Sequence, residues 1–291
     1  MRGSLLSTFS LFCVLLFSGS LFFSGNLMMF WLFLELGSLS LVPCFFYRHS
    51  KMTMGGLFTY IIVSGVASAL IISGLLFEGS MLFSYMGMMV KFALFPFCGW
   101  AYLVLASSNW VVIWALSIVL KSSFLLFCFF LSGGMSVTLV QVCCFLTFSV
   151  VVFLYWILTP DWIYFWCHVM LSSTAALVAM SVEVSIDLLM GLFLVYAVWG
   201  SGVIYLLSRF QGLKFKFSAG GICFLLILLL VSYPGSVSLF YKLLMGMSMY
   251  SCSWWVFLSW VGCCISEQFF LVQLMILGGK SGFEWEDEDS V

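Results

Sequence analysis

The sequence predicts an all-α polytopic membrane protein, a bundle of about ten or eleven transmembrane helices with at least one of them broken. Three observations lead there. Of 291 residues, 64% are hydrophobic and 7% charged, whereas a soluble domain is about 45–50% apolar and roughly 25% charged. A surface facing water cannot be built from so few charges, and mean hydropathy is +1.23. Apolar runs of about 20 residues recur between short polar breaks, each able to cross a hydrocarbon layer about 30 Å thick. One run is too long for a single crossing and contains Tyr233-Pro234-Gly235, which removes a helical donor and favours a break.

Taken in order, the expected spans are 4–24, 27–47, 54–77, 81–105, 109–131, 136–158, 161–181, 185–207, 217–250 and 254–278. The first has the Arg2, apolar run and small Ser24-Gly25 of a signal peptide. Equally apolar sequence follows it, so it reads as a retained first helix. The second ends near Arg48, His49 and Lys51, and the third before Glu78. Asp161 opens the seventh, Glu183 and Asp187 flank the start of the eighth, and Arg209, Lys214 and Lys216 follow it. The ninth is one interrupted helix or two short ones. Residues 1–280 read as a single transmembrane domain, and 281–291, with Glu284 to Asp289, as a solvated acidic tail.

Arg2, the Arg48–Lys51 cluster and the Arg209–Lys216 cluster fall on one side if these spans are right. By the positive-inside rule that side faces the interior compartment. The net charge of −1 offers no basic patch for nucleic acid. The 11 cysteines lie mostly in apolar runs and form no C-x-x-C pair, so they read as small apolar residues rather than metal ligands or a disulfide frame.

Most charges sit in loops or at helix ends, but Glu35, Lys91, Lys121, Lys242 and Glu267 lie well inside expected spans. A charge at the centre of a membrane helix costs about 2.5–3.5 kcal/mol. Five left unpaired would cost on the order of 10–17 kcal/mol, as much as the whole stability of many folds. Snorkelling or a static ion pair accounts for one of them near a helix end. As a set they must face the bundle interior, pair, take water or titrate. Burial lowers a lysine's pKa and a nearby carboxylate raises it, so a row of such lysines with one acid suits a proton relay. Pro96 follows Lys91 by five residues and Pro234 precedes Lys242 by eight. Broken helices at intramembrane ion sites are a recurring transporter device, because freed backbone groups are tolerated only where protein or water satisfies them.

These residues resemble a family. WLFLELGSLSLVP places Trp31, Glu35 and Pro43 as W-x3-E-x7-P, and KFALFPFCGW places Lys91, Pro96, Phe97 and Trp100 as K-x4-P-F-x2-W. Lys121 follows Lys91 by thirty residues, PGSVSLFYK puts Lys242 eight after Pro234, and Ser172-Ser173 matches the start of S-S-x-x-H. Across residues 27–250 the chain resembles the chain 2 family of mitochondrial NADH-ubiquinone oxidoreductase, antiporter-like membrane subunits of respiratory complex I. Its length fits that family better than the longer chains 4 and 5, and it reads as a short version without a last helix. Abundant Phe, Gly and Trp beside four Pro agree with a T- and G-rich genome such as some mitochondria have. The sequence departs from the family at Cys98 and Ala176, where histidines are expected, at Ala93 for Gly and at Tyr241 for Pro. His168, two helical turns before Ala176 on the face of Ser172, is a candidate substitute. Glu267 has no family counterpart and is a candidate partner of Lys242 or a terminal relay group.

The resemblance implies an antiporter-like fold in the mitochondrial inner membrane, with the basic side toward the matrix. It implies that NADH oxidation and ubiquinone reduction elsewhere in the complex drive proton translocation through Glu35, Lys91, Lys121 and Lys242. Partners are other membrane-arm subunits and lipid. NADH, flavin, iron–sulfur clusters and ubiquinone belong to other subunits. This chain is expected to hold no cofactor or metal, and it has no G-x-G-x-x-G after a strand and no cluster-type cysteine run. A stand-alone cation/proton antiporter and a purely structural subunit are the alternatives.

Overall fold

A computed structural model describes residues 2–47, 51–77, 81–123, 137–157, 159, 161–212 and 219–280. Arg48, His49, Glu78, Cys128, Lys214, Lys216 and the acidic tail lie outside the described residues. Twelve α-helices follow one another without a strand among the described residues: α1 Arg2–Ser20, α2 Leu27–Ser40, α3 Lys51–Leu76, α4 Met81–Lys91, α5 Gly99–Ser107, α6 Trp110–Trp114, α7 Val137–Ile157, α8 Trp162–Ser181, α9 Ile186–Gly212, α10 Ala219–Leu230, α11 Val237–Tyr250 and α12 Trp254–Lys280. Short 3-10 turns extend α1 and follow α2, and α6 runs into a π turn over Ala115–Val119.

Seven described helical stretches are long and apolar enough to cross a membrane: Leu5–Phe23, Leu27–Tyr47, Met52–Leu76, Val137–Ile157, Trp162–Ser181, Ile186–Arg209 and Trp254–Gln273. The chain is an all-α, multi-pass membrane protein. The three remaining expected spans account for the difference from ten. The run 109–131 is described only to residue 123. The run 217–250 is divided into α10 and α11. The run 81–105, expected as one span, is corrected to two short helices, α4 and α5, because the chain leaves helical geometry at 92–98.

The position of α8 organises the bundle. Of its spanning window 83% is buried, against 28–44% for the other six. It packs against α5, α7, α9, α11 and α12. A helix enclosed on all sides can carry polar groups only where neighbouring helices satisfy them, and α8 carries His168, Ser172, Ser173 and Thr174. Its antiparallel neighbour α7 is registered by Gln141 donating to Glu183 (3.2 Å) at one end and by Tyr155 against Phe165 at the other. A second, smaller core joins α1, the turn after α2, α3 and α5–α6, through Val14, Leu41, Phe45, Tyr60 and Val112. Helices α3 and α4 approach closely at Gly74, where a Cβ would collide with the backbone of Ser84, and at Gly87, where it would lie 2.7 Å from the Ala67 carbonyl oxygen. Small residues at such crossings let backbones meet in a membrane.

Candidate functional site

The first break begins where α4 ends, at Lys91. Pro96 has no N–H to give and disfavours helical geometry at Phe95. Ala93 turns left-handed, with φ of 54°, and the Phe95–Pro96 peptide is cis. The freed backbone groups find partners. Trp100 Nε1 donates to the Val90 carbonyl (2.8 Å), Phe95 N donates to Thr147 Oγ1 on α7 (3.1 Å), and Phe97 N donates to the Leu94 carbonyl (2.7 Å). Lys91 therefore sits at the carbonyl end of a half-helix, where the macrodipole favours a cation. Its Nζ lies 3.5 Å from Oε2 of Glu35, carried by α2; the side chains are 13% and 22% exposed.

Lys121 follows the π turn that ends α6 and is 3% exposed. Its Nζ donates to the Met170 carbonyl (2.8 Å) and Ser173 Oγ (2.7 Å) on α8 and to the Tyr196 hydroxyl (3.0 Å) on α9. Three acceptors satisfy the three N–H bonds of an ammonium. No carboxylate lies within 4.0 Å of it among the described residues. Two of its acceptors are hydroxyls that donate onward, Ser173 to the Met170 carbonyl (2.9 Å) and Tyr196 to the Ser117 carbonyl (3.2 Å). Either can turn its proton toward a neutral amine, so the same shell serves both protonation states. A cavity of about 60 Å³ is lined by both Lys91 and Lys121, with Ser18, Ser64, Ser123 and Thr174. Water needs roughly 10–15 Å³ of such space, so the cavity has room for a short water chain between the two amines.

The second break, at 231–236, is built on Tyr233-Pro234-Gly235. Gly235 has φ of +92°, which a residue with a Cβ adopts only at a cost. Ser236 then caps α11 by accepting from Leu239 N (3.1 Å). Trp199 Nε1 donates to the Leu229 carbonyl (2.9 Å). Gln268 on α12 serves two groups of the break, accepting from Ser232 N (2.9 Å) and donating to the Leu230 carbonyl (3.3 Å). One residue before it, Glu267 Oε1 lies 3.1 Å from Lys242 Nζ, with side-chain exposures of 7% and 13%. In both ion pairs the facing atoms have no hydrogen-bond partner beyond each other among the described residues.

The structure thus brings Glu35 to Lys91 and Glu267 to Lys242, and sets Lys121 among neutral oxygens. His168 is fully buried on α8, with Nδ1 2.7 Å from the Tyr102 hydroxyl on α5 and its ring 4.8 Å from that of Tyr155. Of the serine pair it is Ser173 that meets Lys121, while Ser172 bonds the Val169 carbonyl (3.0 Å). Pro96 and Pro234 lie inside the two breaks. Sequence reasoning missed Tyr196, Thr147 and Gln268. A glutamine inside the apolar run of α12 was the available signal for the last. No group of three or more His, Cys, Asp or Glu that could hold a metal gathers among the described residues.

No protein-family model matches the chain, and no curated protein matches it. Among solved structures it is similar to a chain of respiratory complex I from Thermus thermophilus with bound aureothin, at 14% identity and a TM-score of 0.70. The match covers 85% of this chain, which spans 65% of the length of the other. At that identity the likeness is one of fold.

Proposed function

We propose that this chain is a membrane-arm subunit of respiratory complex I, of the chain 2 kind, and that it relays protons across the mitochondrial inner membrane. The observation that carries the reading is the shell of Lys121, a buried amine held by three neutral oxygens between two lysine–carboxylate pairs at helix breaks. A structural lysine at this depth would be matched with an acid, because an isolated buried charge is expensive. Here the shell instead tolerates gain and loss of the proton. The fold likeness to a complex I chain supports the assignment.

In this reading each pair is a gate. Ion pairs in a low-dielectric interior repay their desolvation only when further hydrogen bonds hold them, and the paired atoms here lack such bonds. A small shift in α2 or α4, driven from a neighbouring subunit, would change the hold of Glu35 on Lys91. Lys91 would then pass its proton through the cavity to Lys121, and onward to the Lys242–Glu267 pair. Moving one charge against the membrane potential takes about 2.3 kcal/mol per 100 mV, within reach of such rearrangements. His168, bonded to Tyr102, stands outside the shell of Lys121. NADH oxidation, flavin, iron–sulfur clusters and ubiquinone belong in this proposal to other subunits, with the basic loops toward the matrix.

The test is assembly. Native membranes are solubilised gently, complexes are separated on a native gel and stained for NADH dehydrogenase activity, and this chain is located by mass spectrometry. Co-migration with the large active band is the expected result. Migration alone or as a small oligomer would overturn the assignment in favour of a stand-alone antiporter, for which ion flux without NADH is the assay.

A further inference from the structure

The relay leaves a gap between Lys121 and the pair of Lys242 and Glu267, and the side chains that fill it are aromatic. Tyr196, which accepts from Lys121, is fully buried. Its ring lies 5.9 Å from that of Tyr241, at 38°. Tyr241 is held against Trp199, with ring centres 5.4 Å apart and planes within 15°. It is 6% exposed, and its hydroxyl has no hydrogen-bond partner among the described residues. Tyr241 immediately precedes Lys242, whose ammonium faces Glu267 at 3.1 Å. A buried hydroxyl left without a partner is destabilising. A phenylalanine would fill the same space without that defect, so packing does not explain the oxygen.

We infer that Tyr196 and Tyr241 form a hydroxyl bridge that carries the proton from Lys121 to the Lys242–Glu267 pair. The inference rests on the relay proposed above. The bridge works by exchange. The Lys121 ammonium gives a proton to the Tyr196 oxygen as the proton already on that oxygen leaves for the Tyr241 hydroxyl, directly or through one water. Tyr241 takes it on a lone pair and releases its own proton, through a water, to the Glu267 carboxylate. Both phenols begin and end neutral, Lys121 ends as the amine, and Glu267 ends as the acid with a weakened hold on Lys242. Rotation of the two hydroxyls resets the path. The free hydroxyl of Tyr241 can accept without first breaking a bond.

The experiment is Tyr241→Phe in the assembled complex, measuring protons released per NADH oxidised in sealed membranes beside Lys121→Met and Lys242→Met. The ring and its stack on Trp199 are kept, so the variant should assemble and resist heat as well as the parent or better. The bridge predicts that its pumping nevertheless falls, to an extent comparable with Lys121→Met. Full pumping in assembled Tyr241→Phe, with both lysine variants impaired, overturns the bridge and leaves the relay standing. Full pumping in all three overturns the relay itself. If Tyr241→Phe fails to assemble, Tyr196→Phe reads the same route from its other end, and normal pumping in it overturns the proposal.

Discussion

At the first break Lys91 is the last residue of α4 and faces Glu35 across 3.5 Å; at the second, Lys242 lies in the second turn of α11, 3.1 Å from Glu267. The sequence elements are the same, a lysine, a proline and an acid from another helix, yet the settings differ. The carbonyl end of α4 helps to stabilise the charge on Lys91, whereas Lys242, past the first turn of α11, draws no such help from a helix end. Glu35 is the more exposed acid, at 22% against 7%, and Lys91 borders a cavity shared with Lys121. Lys242 also borders a cavity, wider at about 810 Å³ but lined almost wholly by apolar side chains, so one motif makes a looser pair beside a small hydroxyl-lined cavity and a closer pair beside an apolar groove.

The largest loss falls at Glu267. Replacing it by glutamine leaves Lys242 charged and buried without a carboxylate or a helix end to hold it, so Glu267→Gln should cost about 3–5 kcal/mol or prevent assembly. The thermal midpoint of the complex on native gels reads this. Glu35→Gln should cost less, about 1.5–3 kcal/mol, because Lys91 keeps its helix end and can draw water from the cavity. An equal or larger loss at Glu35 would refute the contrast. Gln268→Leu leaves two backbone groups of the second break unmatched and should cost about 1–3 kcal/mol, with NADH-driven pumping reduced if the break also positions Lys242. Smallest is Ala93→Gly, which relieves a left-handed residue and should raise stability by about 1 kcal/mol. No gain there would mean that the turn at Ala93 is held without strain.

Much of the architecture was legible because membranes tax charge and backbone heavily. Five out-of-place charges and two prolines marked the residues of both pairs and both breaks, but Glu267 stayed open between partner of Lys242 and terminal relay group, and the run 81–105 read as one span. The limits have equally physical causes. Continuous hydropathy through FALFPFCGW reads as one span, since an apolar turn carries no polar mark and Ala93 does not announce a left-handed φ. The shell of Lys121 comes from residues 49–75 positions away, and a serine or tyrosine on a membrane helix has no signature to say which cation it will meet. His168 was noticed for its chemistry, but its partner, Tyr102, is 66 residues distant and emerges only when α5 packs on α8.

Lys121→Met tests the central claim most directly. Methionine matches the length of lysine and removes its charge. Ser173 and Tyr196 keep their bonds to the Met170 and Ser117 carbonyls, so the site loses little support. The measurement is NADH-driven proton translocation in sealed membranes, normalised to assembled complex. The account predicts normal assembly with markedly lower translocation per NADH. Undiminished translocation in the assembled variant would contradict it.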